Sequence, residues 1–137
     1  MKAVIRNHAE HIATRAGQRH GTLYWDGTRL VERAEIKALC EELGRMFKPE
    51  RVVLFGSYAY GQPSPHSDVD LMVITPLKRG ERPVQRAHQM RQGLSAPFAL
   101  DLLVRTPQFI AERLEERDMF IEHVMSRGLI MYEDEHA

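Results

Sequence analysis

The sequence predicts an α/β or α+β domain built around a small sheet. Short apolar stretches rich in β-branched residues, of the length of buried strands, alternate along the chain with stretches whose apolar residues recur at helical spacing. The chain has 137 residues, which is enough for one domain with a sizeable core. There are no internal repeats and no low-complexity tract.

The composition excludes several classes of protein. Nineteen Lys and Arg residues balance nineteen Asp and Glu residues, which argues against broad, non-specific coating of nucleic acid. No apolar run approaches the roughly 20 residues of a membrane span, and the first residues lack the apolar stretch of a secretory signal. Cys40 is the single cysteine, so neither a disulfide framework nor a cysteine-based zinc site can form within one chain. We therefore expect a cytoplasmic protein.

The N-terminal part is predicted as an extension (1–30) before the main domain (31–137). Its first half shows apolar residues at helical spacing, which indicates a short amphipathic helix that Gly17 ends. Its second half places Asp26-Gly27 between two short apolar runs, which is typical of a β-hairpin with a type I′ turn. An extended arm is the alternative.

In the main domain the sequence predicts strands that alternate with helices. The predicted strands are Arg51–Phe55, Val69–Ile74, Phe98–Val104 and Leu129–Tyr132. The predicted helices are one with an apolar stripe from Ile36 to Met46, one over Val84–Gln92, one that opens at Thr106-Pro107, and one that Asp118 caps and Gly128 ends. The threonine and the aspartate are cap residues, and proline suits the first turn of a helix. Cys40 falls on the buried stripe of the first helix and is predicted to be a core residue.

A glycine-serine turn follows the first predicted strand directly. Gly56 lets the backbone approach a ligand closely, and free amides after it attract anions such as phosphate. Many strand-to-helix turns carry Gly-Ser, so this feature by itself is not specific.

Two carboxylates stand at the start of the second predicted strand. Asp68 and Asp70 are two residues apart, so strand alternation places both on one face with Cα atoms about 6.5 to 7 Å apart. Carboxylates at that spacing can bracket divalent ions about 4 Å apart, as two-metal phosphoryl-transfer sites require. The apolar run 71–74 that follows argues against two solvated charges on an exposed edge.

A third carboxylate, Asp101, lies inside the apolar third strand. An ionised carboxylate there is costly unless it is paired or bound to a metal, and a salt bridge to a nearby arginine is the alternative for this residue alone. Together with Asp68 and Asp70, a metal site becomes the favoured interpretation. Because oxygen ligands select hard cations, we expect two Mg²⁺ ions, with Mn²⁺ as a substitute.

This arrangement resembles a known motif. Gly56-Ser57, ten intervening residues and then Asp68-Val69-Asp70 are similar to the motif of minimal nucleotidyltransferases in the DNA polymerase beta-like superfamily. Asp101 falls on the next predicted strand, where that superfamily places its third carboxylate. The resemblance covers the chain from residue 32 to residue 132. One departure is that many relatives carry arginine at the position of Tyr60.

The resemblance implies a fold, a reaction and a set of roles. It implies the nucleotidyltransferase fold, which is a mixed sheet flanked by helices, and transfer of a nucleoside monophosphate from a triphosphate, usually ATP, with release of pyrophosphate. The nucleotide-binding residues that it implies are Gly56, Ser57 and Ser67. The catalytic residues and metal ligands that it implies are Asp68, Asp70 and Asp101. In this scheme Asp101 also accepts the proton of the attacking hydroxyl group.

The expected acceptor is a macromolecule, because little chain remains for a second domain that would hold one. The resemblance suggests an antitoxin that adenylylates a tyrosine of a small helical ribonuclease toxin of the HEPN type. One alternative is a transferase for a small, antibiotic-type acceptor whose pocket a second copy of the chain completes. Another is a non-catalytic antitoxin that acts by binding only. Nucleic acid is not expected as a direct substrate.

Two further stretches receive structural interpretations. The basic stretch from Lys78 to Arg91 is predicted to be a solvated helix face, although it could also contact a triphosphate, RNA or an acidic partner. The pair Met119-Phe120 is predicted to belong to the core or to an interface rather than to a platform on which a base stacks.

Overall fold

The computed structural model describes residues 27–135. Its helices are α1 (Arg33–Phe47), α2 (Ser57–Tyr60), α3 (Pro83–Gly93), α4 (Pro107–Glu115) and α5 (Met119–Arg127). Its strands are β1 (Arg51–Phe55), β2 (Val69–Ile74), β3 (Leu100–Arg105) and β4 (Leu129–Glu133). The predicted N-terminal amphipathic helix lies outside the described residues, and the domain boundary at residue 30 stays a prediction.

The strands form one mixed sheet in the order β3-β2-β1-β4. β1 pairs antiparallel with both β2 and β4, whereas β2 and β3 are parallel. Parallel strands need a crossover connection, and α3 provides it between β2 and β3. The predicted fold class, a mixed sheet flanked by helices, is therefore confirmed.

Helices cover both faces of the sheet, which explains why the strands read as nearly continuous apolar runs. On one face, apolar side chains of α1 and α3 pack against alternate strand residues in a large cluster. On the other face, α4 and α5 pack in a smaller cluster. The buried members of this smaller cluster are Val53, Phe55, Met72, Ile74, Ile110, Ile121 and Val124. Burial of each such side chain stabilises the fold by about 1.5 to 3 kcal/mol.

Cys40 lies in the large cluster and is fully buried. Burial, reinforced by the charge of Glu41, raises the pKa of its thiol to about 12. The thiol is therefore protonated at neutral pH and behaves as a small apolar group, which confirms its prediction as a core residue.

The predicted helix caps are present. The Thr106 side chain accepts a hydrogen bond from Phe109 N at 3.0 Å, and the Asp118 side chain accepts one from Ile121 N at 3.0 Å. These bonds satisfy amides that have no partner within the first turn of α4 or α5. At the other end of α5, Gly128 N donates to Val124 O.

Two elements differ from their predicted form. β3 begins at Leu100 rather than at Phe98, because its pairing with β2 begins at Val69 and Leu100. Residues 98 and 99 are buried, which explains why they resemble a strand in the sequence. Residues 27–30 form bends and irregular backbone where the second strand of the hairpin was predicted. There Arg29 forms an ion pair of 2.9 Å with Glu35 of α1, so this segment packs against a helix instead of pairing as a strand.

Candidate active site

The glycine turn and two of the predicted carboxylates form a row across three strands. In the β1–β2 ladder Phe55 is paired with Asp70, and in the β2–β3 ladder Asp70 is paired with Asp101. Gly56 follows Phe55 directly, so the glycine turn begins one residue beyond this level of the sheet. Because neighbouring strands lie about 4.8 Å apart, the row brings the turn and both carboxylates within reach of one small ligand.

Both carboxylates of the row belong to the same face of the sheet. Asp70 and Met72 are two residues apart in β2, and Asp101 and Leu103 are two residues apart in β3. Met72 and Leu103 both pack in the smaller cluster. Since alternate residues of a strand share a face, Asp70 and Asp101 project from the side that α4 and α5 cover. Two carboxylates that jointly bind a cation must have this arrangement.

Asp68 directly precedes β2 and is almost fully buried, with 8% of its surface exposed. The next residue anchors it, because Val69 N donates to Ala99 O at 2.9 Å just before β3 begins. Asp68 is thus held beside the ends of the two strands that carry Asp70 and Asp101.

The loop before Asp68 is folded by its serines. Ser64 N donates to the Ser67 hydroxyl oxygen at 2.9 Å, and Ser67 N donates to Ser64 O at 2.9 Å. His66 N also donates to the Ser64 hydroxyl oxygen, at 3.2 Å. The Ser67 side chain therefore shapes the loop that leads to Asp68, while its role in binding nucleotide stays a prediction.

Gly56 has a backbone conformation that only glycine adopts easily, with φ 76° and ψ −156°. A Cβ atom at this position would overlap the Oδ2 atom of Asp70. The turn therefore approaches the carboxylate more closely than any residue with a side chain would allow. After it, Ala59 N and Tyr60 N donate to Gly56 O at 3.0 and 3.1 Å, which closes the single turn of α2.

Tyr58, the residue after Ser57, fastens this turn to the first residue of α1 and to the segment before that helix. Its hydroxyl oxygen accepts a hydrogen bond from Val31 N at 3.1 Å, and its carbonyl oxygen accepts one from Arg33 Nη2 at 2.9 Å. Tyr58 is buried, with 7% exposed. Sequence reasoning missed this anchor because its partners lie more than twenty residues away and no local pattern marks them.

A charge interaction of Asp101 with a nearby arginine was the alternative for this carboxylate, and the structure identifies the arginine as Arg91. It lies in the last turn of α3 and is half-buried. Burial lowers the pKa of Arg91, and the negative charge of Asp101 opposes that change. Within the same basic stretch, Arg86 forms a largely buried ion pair of 2.6 Å with Glu81. The prediction of a solvated helix face is therefore wrong for both arginines, and Arg91 supplies positive charge near Asp101.

The three carboxylates offer the type of ligand atom that a hard cation prefers. Asp68, Asp70 and Asp101 offer carboxylate oxygens, which Mg²⁺ and Mn²⁺ prefer. Among residues 27–135, however, no three His, Cys, Asp or Glu side chains are grouped as a metal site requires. Convergence of all three carboxylates on a metal ion thus stays a prediction. Arg91 is a positive charge that acts on one of them, Asp101.

The comparisons with known proteins bear on this site. A family model described as a nucleotidyltransferase domain matches residues 36–134. The chain belongs to this nucleotidyltransferase family. The matched range contains the glycine turn and all three carboxylates, and the family's general activity is nucleotidyl transfer.

A solved structure supports the fold of this nucleotidyltransferase. It is the 1.40 Å crystal structure of a Sulfolobus solfataricus protein that is provisionally described as a nucleotidyltransferase. The TM-score is 0.52 at 18% sequence identity, and the match covers 74% of this chain and 80% of the other. No curated protein matches the chain significantly. Between residues 27 and 135, none of the helices combines the length and apolar character that crossing a membrane would need.

Proposed function

We propose that this nucleotidyltransferase transfers AMP from ATP to a tyrosine hydroxyl of a partner protein, a small helical HEPN-type toxin, and releases pyrophosphate. The observation that carries the proposal is the row of Gly56, Asp70 and Asp101 on one face of the sheet. Phosphoryl transfer needs a backbone turn that phosphates can approach closely, and beside it carboxylates that can bind a cation.

In the proposed reaction, the acceptor oxygen attacks the α-phosphorus and the bond from that phosphorus to the bridging α–β oxygen breaks. The backbone of Gly56 and Ser57, with the Ser57 hydroxyl, holds the β- and γ-phosphates. Asp101 accepts the proton of the attacking hydroxyl. Asp68, Asp70 and Asp101 would hold Mg²⁺, which supplies neutralisation of the triphosphate charge and a more acidic acceptor hydroxyl. Positioning and charge neutralisation thus account for most of the rate.

The proposal of a macromolecular acceptor has two supports. The first is the resemblance of the motif to minimal nucleotidyltransferases of toxin–antitoxin pairs. The second is an exposed apolar surface beside the site: Met119 is 83% exposed and Phe120 is 48% exposed, and the Phe120 ring contacts Phe55, the residue before the glycine turn. An exposed apolar surface next to an active site suits a protein that docks there.

Incubation with ATP labelled on the α-phosphate, Mg²⁺ and a candidate helical partner tests the proposal. We expect label on a tyrosine of the partner and none when the γ-phosphate carries the label instead. Label on a small acceptor would support the antibiotic-type alternative. If the partner is neutralised in a stable complex without any label, the binding-only alternative is correct and the proposed reaction is wrong.

Arg91→Met tests how the carboxylates are neutralised. The substitution removes a positive charge near Asp101, but it also removes a cation that burial disfavours, so we expect the stability of the metal-free protein to change little. We also expect Mn²⁺ to bind more tightly, because the metal no longer shares the carboxylates with an arginine. Thermal unfolding with and without Mn²⁺, together with titration calorimetry, measures both effects.

Arg86→Met is the matched control for this variant, because it removes an arginine of the same helix that pairs with Glu81 away from the row. It should lower stability while leaving the affinity for Mn²⁺ at the wild-type value. Equal or weaker Mn²⁺ binding by Arg91→Met would show that Arg91 does not share the carboxylates with metal.

A further inference from the structure

One face of α5 contacts both sides of the glycine-serine turn. The ring of Phe120 meets the ring of Phe55 edge-on, with centroids 5.7 Å apart and planes at 81°. The ring of His123 meets the ring of Tyr60 in the same manner, with centroids 4.5 Å apart and planes at 67°. Phe55 precedes Gly56 and Tyr60 ends α2, so one contact lies before the turn along the chain and the other lies after it.

Arg127 completes this set of contacts. Its guanidinium carbon lies 5.8 Å from the centroid of the Tyr60 ring. Residues 120, 123 and 127 follow each other at spacings of three and four, so they lie on one face of α5. Tyr60 is thereby held by an imidazole and a guanidinium from the same helix, both in favourable geometry for an aromatic ring.

These contacts are not what attaches α5 to the sheet. The helix is fixed by Ile121 and Val124, which are buried in the smaller cluster. Phe120, His123 and Arg127 are exposed side chains, and their ring contacts reach this cluster at Phe55 and Tyr60. Their contacts are with Phe55, the last residue of β1, and with Tyr60 of α2. Because α2 is a single helical turn with few internal hydrogen bonds, it depends on such outside contacts.

We propose that Phe120, His123 and Arg127 are positioning residues that hold the Gly56–Ser57 turn in place and thereby set the affinity for the triphosphate. The inference rests on the proposed function, because it assigns these residues to the turn that binds the phosphates. They act through Phe55 and Tyr60 and do not themselves contact the nucleotide. Their removal weakens nucleotide binding without slowing the transfer step.

His123→Ala is the decisive variant. We expect its affinity for α,β-methylene-ATP, a non-cleavable analogue, to fall about three- to tenfold, which is the size of one lost aromatic contact. We expect the KM for ATP to rise by the same factor while kcat stays at the wild-type value. His123→Phe keeps a ring at this position and should restore both values. Ser126→Ala, an exposed substitution on the same helix, is the control and should change neither.

The outcomes separate this inference from the proposed function. A wild-type protein that does not bind the analogue overturns both. If the wild type binds and His123→Ala binds equally well, the positioning role is wrong while the proposed function stands. A fall in kcat with an unchanged KM, or a His123→Phe variant that stays as weak as His123→Ala, also overturns the role. Unchanged thermal unfolding of His123→Ala, with weaker analogue binding, supports it.

Discussion

Asp70→Asn is expected to abolish nucleotidyl transfer and to leave the fold intact. Asp70 is the centre of the row, with Gly56 on one side and Asp101 on the other. Asparagine has nearly the same size but carries no charge, so the site loses a proposed ligand for a cation while its packing is kept. Since charge stabilisation by a bound metal contributes several kcal/mol to such reactions, we expect the rate to fall by about a thousandfold or more.

Pyrophosphate release and label transfer from α-labelled ATP measure this loss, and circular dichroism during thermal unfolding measures the fold. The variant should unfold close to the wild-type temperature, because asparagine keeps the size and shape of the side chain. Glu112→Gln, which neutralises an exposed carboxylate of α4, is the control and should retain full activity. Near-normal transfer by Asp70→Asn would exclude Asp70 from the mechanism.

Gly56→Ala is the substitution with the second-largest expected effect. The positive φ of 76° is strained for alanine and costs about 1 to 3 kcal/mol of stability. In addition, the new Cβ atom would overlap Oδ2 of Asp70, so either the turn or the carboxylate must move. Because a displacement of about 1 Å in an active site can cost a factor of about a hundred, we expect a loss of that size in kcat/KM.

Gly80→Ala separates the two causes of this effect. Gly80 has a similar φ of 81°, but a Cβ atom there would meet nothing within 4 Å. It should therefore lose stability from backbone strain and keep its activity. Comparison of unfolding free energies and of kcat/KM for the two variants is the measurement. Wild-type activity in Gly56→Ala would show that the close approach of the turn to Asp70 has no role in catalysis.

Much of the site could be predicted from short-range patterns. The apolar runs of β1 and β2 mark buried strands, so the side of the sheet for each residue within a strand follows from alternation. The cap residues Thr106 and Asp118 identify helix starts through bonds that reach only three residues along the chain. The role of Gly56 could also be predicted locally, because glycine is the residue that lets the backbone approach a ligand closely.

Other parts of the site could not be predicted this way. Pairing of Asp70 with Asp101 depends on the register of two strands joined through α3, and a shift of one residue would place Asp101 on the opposite face. The charge of Arg91 near Asp101 depends on where α3 packs against β3. The contacts of His123 and Arg127 with Tyr60 join segments about sixty residues apart.

The amino-acid sequence alone determined which residues form strands, turns and caps, and which acids belong to an apolar strand, because these properties depend on neighbours a few residues away. Only the tertiary structure decided that Asp70 and Asp101 share a face beside the glycine turn, that Arg91 lies near Asp101, and that α5 contacts residues on both sides of the turn. Such contacts form when distant segments pack together, and their geometry is set by strand register and core packing rather than by any local pattern.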